Sequence, residues 1–450
     1  MKKKQILLCQ LFILFLLLNI VPCFPLAYAQ GDAKTSVTPL QPVIQSECLP
    51  PGEEITESPL AASLSDEQLS CLQFPDCGSG SCSDDSSFQF FRAGSRLQFT
   101  GWVESGLYTN AHGATSKYGP SGEGLLSNSG NGPNFGSGLR TTHYNMNQLW
   151  GRLIREMDCE NGLDWGFRTD LIYGMNGYGV QSEDSFDHGW GRGDYGLGFH
   201  QLYGELGYKK LSALYGKFGT PIGWEETGSW DNFFYSHSYA FNIEPCTHTG
   251  VLVRYQLTDE LKLVGGWTAG MENSFANRFG DHSLIAGLEL ALSEKSTFYY
   301  YMTQGRMNDS FGGGYATDFF IQSLCFEWQP LEKWTYVCQY NLNNMNEVAG
   351  ERFSAFGVNN HLLYTIDDQW GVGVRAEWLR DNGILAYEDA LGHSNNSDYV
   401  ELTLGLNFNP TESLRIRPEI RYDHAFKNPI FANGTKKEQL SGGFAVLYGF

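Results

Sequence analysis

The chain has 450 residues and a formal charge of −20 at pH 7, yet only 18% of its residues are charged, and it carries Gly 53, Phe 30, Tyr 24 and Trp 11. That acidity argues against nucleic acid and anionic membrane surfaces as partners. Beyond the N-terminus no segment is apolar enough for a membrane helix. The chain is therefore exported and water-soluble, or it crosses a membrane as strands.

Lys2, Lys3 and Lys4 precede an apolar run from Ile6 to Leu18, and Ala27-Tyr28-Ala29 follows. This is a charged start, an apolar stretch and a small-residue cleavage site, so residues 1–29 read as a signal peptide cut before Gln30. Residues 30–90 are rich in Pro, Ser and Glu and poor in aromatics. They read as an acidic, mostly disordered periplasmic segment, with one short helix expected over Leu60–Leu72 behind the N-cap Ser65. Cys48, Cys71, Cys77 and Cys82 lie here, and one or two disulfides are expected among them.

From residue 91 the pattern is β throughout. Strands are expected near Ser95–Tyr108, up to Met157, from a turn at Asp158–Gly162 to Met175, then over Gly198–Tyr208 and Leu211–Phe218. A long connection over Gly219–Cys246 follows. Further strands are expected over His248–Leu257, Leu261–Met271, Ser283–Leu292, Thr297–Gly305, Thr317–Trp328 and Trp334–Asn343. The series ends with Ala355–Thr365, Trp370–Arg380, Tyr399–Phe408, Leu414–Asp423 and Gln439–Phe450. Short turns such as Thr258-Asp259-Glu260 and Ser293-Glu294-Lys295 alternate with long Gly/Asn/Ser-rich loops. That alternation is the pattern of an all-β transmembrane antiparallel up-and-down β-barrel, here of about 16 strands over residues 91–450.

The faces of the strands agree. Leu414, Ile416, Ile420 and Tyr422 alternate with Arg415, Arg417, Glu419, Arg421 and Asp423, and Trp370, Val372, Val374 and Trp378 alternate with Arg375 and Glu377. Charges at every second position cannot face lipid. They line a lumen, and about sixteen strands enclose an aqueous channel. Arg168 and Arg254 join Arg375, Glu377, Arg415, Arg417, Glu419 and Arg421 as expected lumen charges. Opposed ladders of this kind carry little net charge, so only a weak cation preference is expected. The chain closes on Phe444, Val446, Tyr448 and Phe450, which share one strand face. A terminal aromatic strand of this kind is an expected signal for insertion by the barrel-assembly machinery.

The connection after Gly219 is too aromatic for an outer loop. Trp224, Glu225, Glu226, Phe233, Phe234, Tyr235, His237 and Tyr239 are expected to fold inward and narrow the pore. This stretch runs from Gly219-Thr220-Pro221-Ile222-Gly223-Trp224-Glu225-Glu226 to Glu244-Pro245-Cys246-Thr247-His248-Thr249-Gly250. Together with Leu202–Tyr208, Thr100-Gly101-Trp102-Val103-Glu104 and the Asn145–Trp150 region, it resembles the OmpL-like outer-membrane beta-barrel porin family. The resemblance covers Gly94 to Phe450 and implies a porin that passes small hydrophilic solutes. It carries over no catalytic residues. Cys246 departs from the pattern, where an apolar residue is expected.

No Gly-x-Ser-x-Gly elbow and no His-Glu-x-x-His motif is present, so no catalytic residue, cofactor or enzyme activity is expected. His237, His248, Glu225, Glu226 and Glu244 match no metal spacing, and Asn308-Asp309-Ser310 lacks the rest of a calcium ligand set. The expected partners are outer-membrane lipid, the assembly machinery and solute. Both termini are expected in the periplasm, and the oligomeric state is not encoded legibly. Two other classes stay open: a barrel enzyme or adhesin, and a soluble secreted β-rich carbohydrate-binding protein. Cys325 and Cys338 flank a short turn but are expected to face opposite ways. Pairing Trp328 with Trp334 and Phe326 with Tyr336 sets Leu324 opposite Cys338.

Overall fold

The computed structural model describes residues 96–111, 144–159, 162–182, 185–193, 195–275, 280–308, 316–347, 350, 352–385 and 396–450. The acidic segment, its four cysteines, the expected helix over residues 60–72 and most of the Asn308–Ser310 turn lie outside them.

The strands are β1 (Leu97–Asn110), β2 (Tyr144–Arg155), β3 (Leu163–Gly174), β4 (Gly191–Arg192), β5 (Tyr195–Tyr208), β6 (Leu211–Gly219), β7 (Thr247–Gln256), β8 (Leu261–Met271) and β9 (His282–Ser293). They continue with β10 (Ser296–Asn308), β11 (Ala316–Leu331), β12 (Trp334–Glu347), β13 (Arg352–Thr365), β14 (Trp370–Asn382), β15 (Ser397–Thr411), β16 (Leu414–Ala425) and β17 (Glu438–Gly449). β4 is a two-residue ribbon that pairs only with the start of β5. The other sixteen pair antiparallel with their neighbours, and β1 pairs with β17 from Trp102↔Gly449 to Asn110↔Ser441, closing the barrel. Closure leaves no strand edge unpaired, which a membrane interior requires.

The side-chain alternation makes two surfaces. On β14, Gly371, Gly373, Arg375, Glu377, Leu379 and Asp381 are buried, whereas the alternate positions are partly or fully exposed. Leu402, Leu404 and Ile420 are nearly half exposed on the outside. An apolar wall of that extent is stable only against lipid. Aromatic pairs ring it, among them Trp334–Tyr364 and Trp370–Phe408, with ring centroids 4.6 and 4.2 Å apart. Tyr and Trp favour such positions because their rings are apolar and their tips polar.

The chain terminus completes this wall. Phe450 exchanges both backbone hydrogen bonds with Gly101, each 2.8 Å, and its ring lies 6.2 Å from that of Phe99. Phe444 and Tyr448 are exposed on the same outer face.

One expected register is corrected. β11 runs on to Leu331, which pairs with Trp334, so Trp328 meets Tyr336 and Phe326 meets Cys338. The cause is a bulge between Trp328 and Leu331, where Pro330 has no N–H to give the ladder. The slip is two residues, so faces are kept: Cys325 and Cys338 are free thiols on opposite sides of the sheet. Cys159, in the turn after β2, is disulfide-bonded, which the sequence reading did not foresee. Two further details were missed in the loops: the 3-10 turn Met175–Val180 after β3, and the four-residue helix Phe431–Gly434 before β17.

Candidate functional site

The connection between β6 and β7, residues 220–246, carries the candidate site. Half a turn round the barrel from β6 and β7, in strand order, lie β14 and β15. The middle of the loop is hydrogen-bonded to the inner faces of β14 and β16, so it reaches across the bore to the opposite wall.

The docking has a simple rule. The inner face of β16 carries Arg415, Arg417, Glu419, Arg421 and Asp423, and each takes a loop group of complementary polarity. Arg415 donates to the Trp230 carbonyl at 2.7 Å, and Arg417 donates to the Ser229 and Asn232 carbonyls, both at 2.7 Å. Glu419 accepts the Tyr235 N–H at 2.8 Å and the Ser236 N–H at 3.1 Å. Arg421 donates to the His237 carbonyl, and Asp423 accepts the Tyr239 hydroxyl at 2.8 Å. β14 adds Glu377, which accepts the Tyr239 and Ala240 N–H groups at 2.6 Å each, and Arg375, which donates to the Ser236 carbonyl at 2.7 Å. The loop's backbone thus finds partners on a charged wall, as an irregular segment inside a membrane protein must.

Shape reinforces polarity. Inner-face glycines on β14 and β15 receive the loop's aromatic rings. A Cβ at Gly373 would lie 2.5 Å from the Phe233 ring, and one at Gly405 would lie 2.8 Å from Phe234. Arg375 and Arg415 sit over the rings of Phe234 and Trp230, at 5.1 and 4.8 Å.

Charges inside the loop are also paired. Glu225 accepts from Arg375 at 2.8 Å and from the Ser238 N–H at 2.8 Å, and lies 3.5 Å from His237. Burial alone would raise its carboxyl, but the Arg375 charge and the His237 hydrogen bond hold it well below the usual carboxylate range. Burial pushes His237 down, and its ring stacks on Phe241 at 3.7 Å. Glu226 is buried, and Asn232 bonds its backbone on both sides. His248 pairs with Thr220 rather than with the acidic residues, at 3.0 Å. No group of metal-ligating side chains occurs among the described residues.

The remaining expected lumen charges also face inward. Arg168 binds Asp170 at 2.8 Å, and Arg254 binds Glu205 at 3.4 Å. What sequence reasoning missed is the use to which the ladder is put: Arg415, Arg417 and Arg421 hold the loop and do not stand clear in the lumen. The order of charges on β16 was visible in the sequence, but its matching to the loop's carbonyls and N–H groups was not.

A closed barrel of sixteen wall strands, apolar outside, charged inside and crossed by a loop, defines an outer-membrane channel. The family described as putative beta-barrel porin-2, OmpL-like, matches residues 96–450, and the chain belongs to it. It is an outer-membrane porin, and the family points to a channel rather than an enzyme. Solved structures share the fold. The outer membrane channel DcaP of Acinetobacter baumannii matches at 11% identity and TM-score 0.50, over 79% of this chain and 97% of that one. Salmonella typhi OmpF, in a complex with daunomycin, matches at 10% identity and TM-score 0.50 over the same shares. An anion-selective porin from Comamonas acidovorans matches at 10% identity and TM-score 0.49, over 79% and 99%. At such identities the likeness is one of fold alone. No curated protein matches the chain.

Proposed function

We propose that loop 220–246 is the constriction of this porin, and that the channel passes small neutral and zwitterionic solutes with only a weak preference for cations. The observation that carries this reading is the loop's attachment to β14 and β16, on the wall opposite its own stems. A loop so placed narrows the bore. Opposed charges stand close here: Glu401 lies 2.6 Å from Arg375 and 3.1 Å from Arg421, and Asp423 lies 2.7 Å from Arg421. They cancel as a net field while leaving a transverse one, which orients dipoles more than it sorts ions. The mature protein begins at Gln30, keeps residues 30–90 as a periplasmic segment, and enters the membrane through the assembly machinery with Phe444, Val446, Tyr448 and Phe450 as its signal. Both termini are periplasmic, on the rim of the short turns.

Single-channel recording in planar bilayers tests the constriction. Replacing residues 226–235 by a short Gly/Ser link raises conductance while heat-modifiable, inserted protein is retained. Unchanged conductance places the loop outside the conducting path.

A further inference from the structure

Next to the charged wall the lumen lining changes character. β12 presents Gln339 and Asn343, and β13 presents Asn359 and His361, each no more than 3% exposed and none with a fixed charge. Gln339 and Asn359 are directly paired across the two strands. Some amide donors are engaged by the loop: Asn343 Nδ2 donates to the Ile243 carbonyl at 2.8 Å, and Gln339 Nε2 donates to Glu244 Oε1 at 2.7 Å. Asn359 Nδ2 meets His361 Nε2 at 3.0 Å, which makes that nitrogen the acceptor and puts the ring proton on Nδ1.

A consistent remainder is left. Gln339 Oε1, Asn343 Oδ1, Asn359 Oδ1, Glu244 Oε2 and His361 Nδ1 have no hydrogen-bond partner among the described residues. Buried polar groups are rarely left so, and several on one panel imply molecules that supply what is missing. Most of these atoms are acceptors and one is an N–H donor. A metal ion or an ammonium group would satisfy only the acceptors. A hydroxyl satisfies both kinds, because it donates one bond and accepts others. Burial also lifts the Glu244 carboxyl well above its ordinary value. Against this panel Trp224 lies with its ring 4.5 Å from His361 and part of its surface still open. It offers an apolar face beside a row of hydrogen-bonding groups.

We propose that the β12–β13 amide panel and Trp224 form a subsite for uncharged polyhydroxylated solutes, sugars or sugar-like polyols, beside the loop. Hydroxyls pair with the amide oxygens and His361, while the C–H face of a ring lies on Trp224. This rests on the reading of the chain as a conducting pore. The test is ion current through the full-length protein in a planar bilayer, with maltotriose added on one side and triglycine, a zwitterion without hydroxyls, as comparison. The native channel shows saturable, noisy block by maltotriose and only linear, volume-like reduction by triglycine. Asn359→Leu weakens the block tenfold or more in a channel that still conducts in salt alone. Asn359→Asp, which keeps the acceptors, restores much of the block, and Trp224→Ala lowers it. Maltotriose acting no differently from triglycine on a conducting channel, or equal block in the Asn359→Leu channel, overturns the subsite and leaves the pore standing. A native protein that inserts and does not conduct overturns the pore itself.

Discussion

Glu419 holds both the loop and the wall beside it. It accepts the Tyr235 N–H at 2.8 Å, the Ser236 N–H at 3.1 Å and the Tyr108 hydroxyl at 2.9 Å. Glu419→Ala leaves all three donors without that acceptor. In a dry interior each orphaned donor costs about 1–3 kcal/mol, and beside a water-filled bore the low end applies; the Tyr108 hydroxyl sits on β1 and is orphaned in either loop state, so the two loop donors weaken docking by about 2 kcal/mol. At about 1.4 kcal/mol per decade, the ratio of docked to undocked loop falls roughly 30-fold. The barrel ladder is not touched, so folding and insertion persist. In single-channel recordings the variant flickers between the native conductance and a larger one, or rests in the larger one. Glu419→Gln, which keeps one acceptor, falls between. Glu260→Ala, in an exposed turn on the other rim, serves as control and behaves as native. A Glu419→Ala channel with native conductance and native noise would refute the docking logic, because the loop would then hold without the carboxylate that accepts two of its backbone N–H groups.

Other expectations follow from the same geometry. Arg415→Ala, Arg417→Ala and Arg421→Ala combined shift the reversal potential toward cations and also raise conductance, since these residues bind loop carbonyls; a selectivity shift at constant conductance would mean that they stand clear of the loop. Gly373→Val drives the Phe233 ring from a contact that already leaves only 2.5 Å for a Cβ, and its conductance differs from native while heat-modifiability is kept. Glu272, just past β8, accepts the Cys246 and Thr247 N–H groups at the loop stem, and burial raises its carboxyl from 4.5 to about 8. A carboxyl raised by folding stabilises the stem fully below its ordinary pKa, and that contribution is lost as pH rises through about 8. Current noise therefore increases between about pH 5 and 9 in the native channel, and Glu272→Gln is flat over that range. Deleting Phe450 removes the two hydrogen bonds to Gly101, and less heat-modifiable protein is recovered than after deletion of a loop residue; equal recovery would separate barrel closure from the terminal aromatic.

Much of the wall was legible because a strand shows its two faces with a period of two, and lipid and lumen demand opposite chemistry at alternate positions. Leu261–Met271 is bounded identically in sequence and structure, and most other strands differ by one to three residues. The register of β11 against β12 was not legible. A bulge adds one residue to one strand and leaves no mark in an alternation that continues on either side of it. Pro330 was the available hint.

The candidate site divides in the same way. The aromatic content of residues 224–239 was enough to expect an inward loop, because that much apolar surface is not stable in water. Sequence alone also set the order of charges on β16 and the glycines at Gly371, Gly373 and Gly405. Only the closed barrel decided what they are for. Closure brings a loop from β6 and β7 against strands more than a hundred residues further along the chain, so that carbonyls meet arginines, N–H groups meet carboxylates and phenylalanine rings meet glycines. Such matching depends on distances across the bore, and a one-dimensional pattern specifies the partners' chemistry without specifying which of them meet.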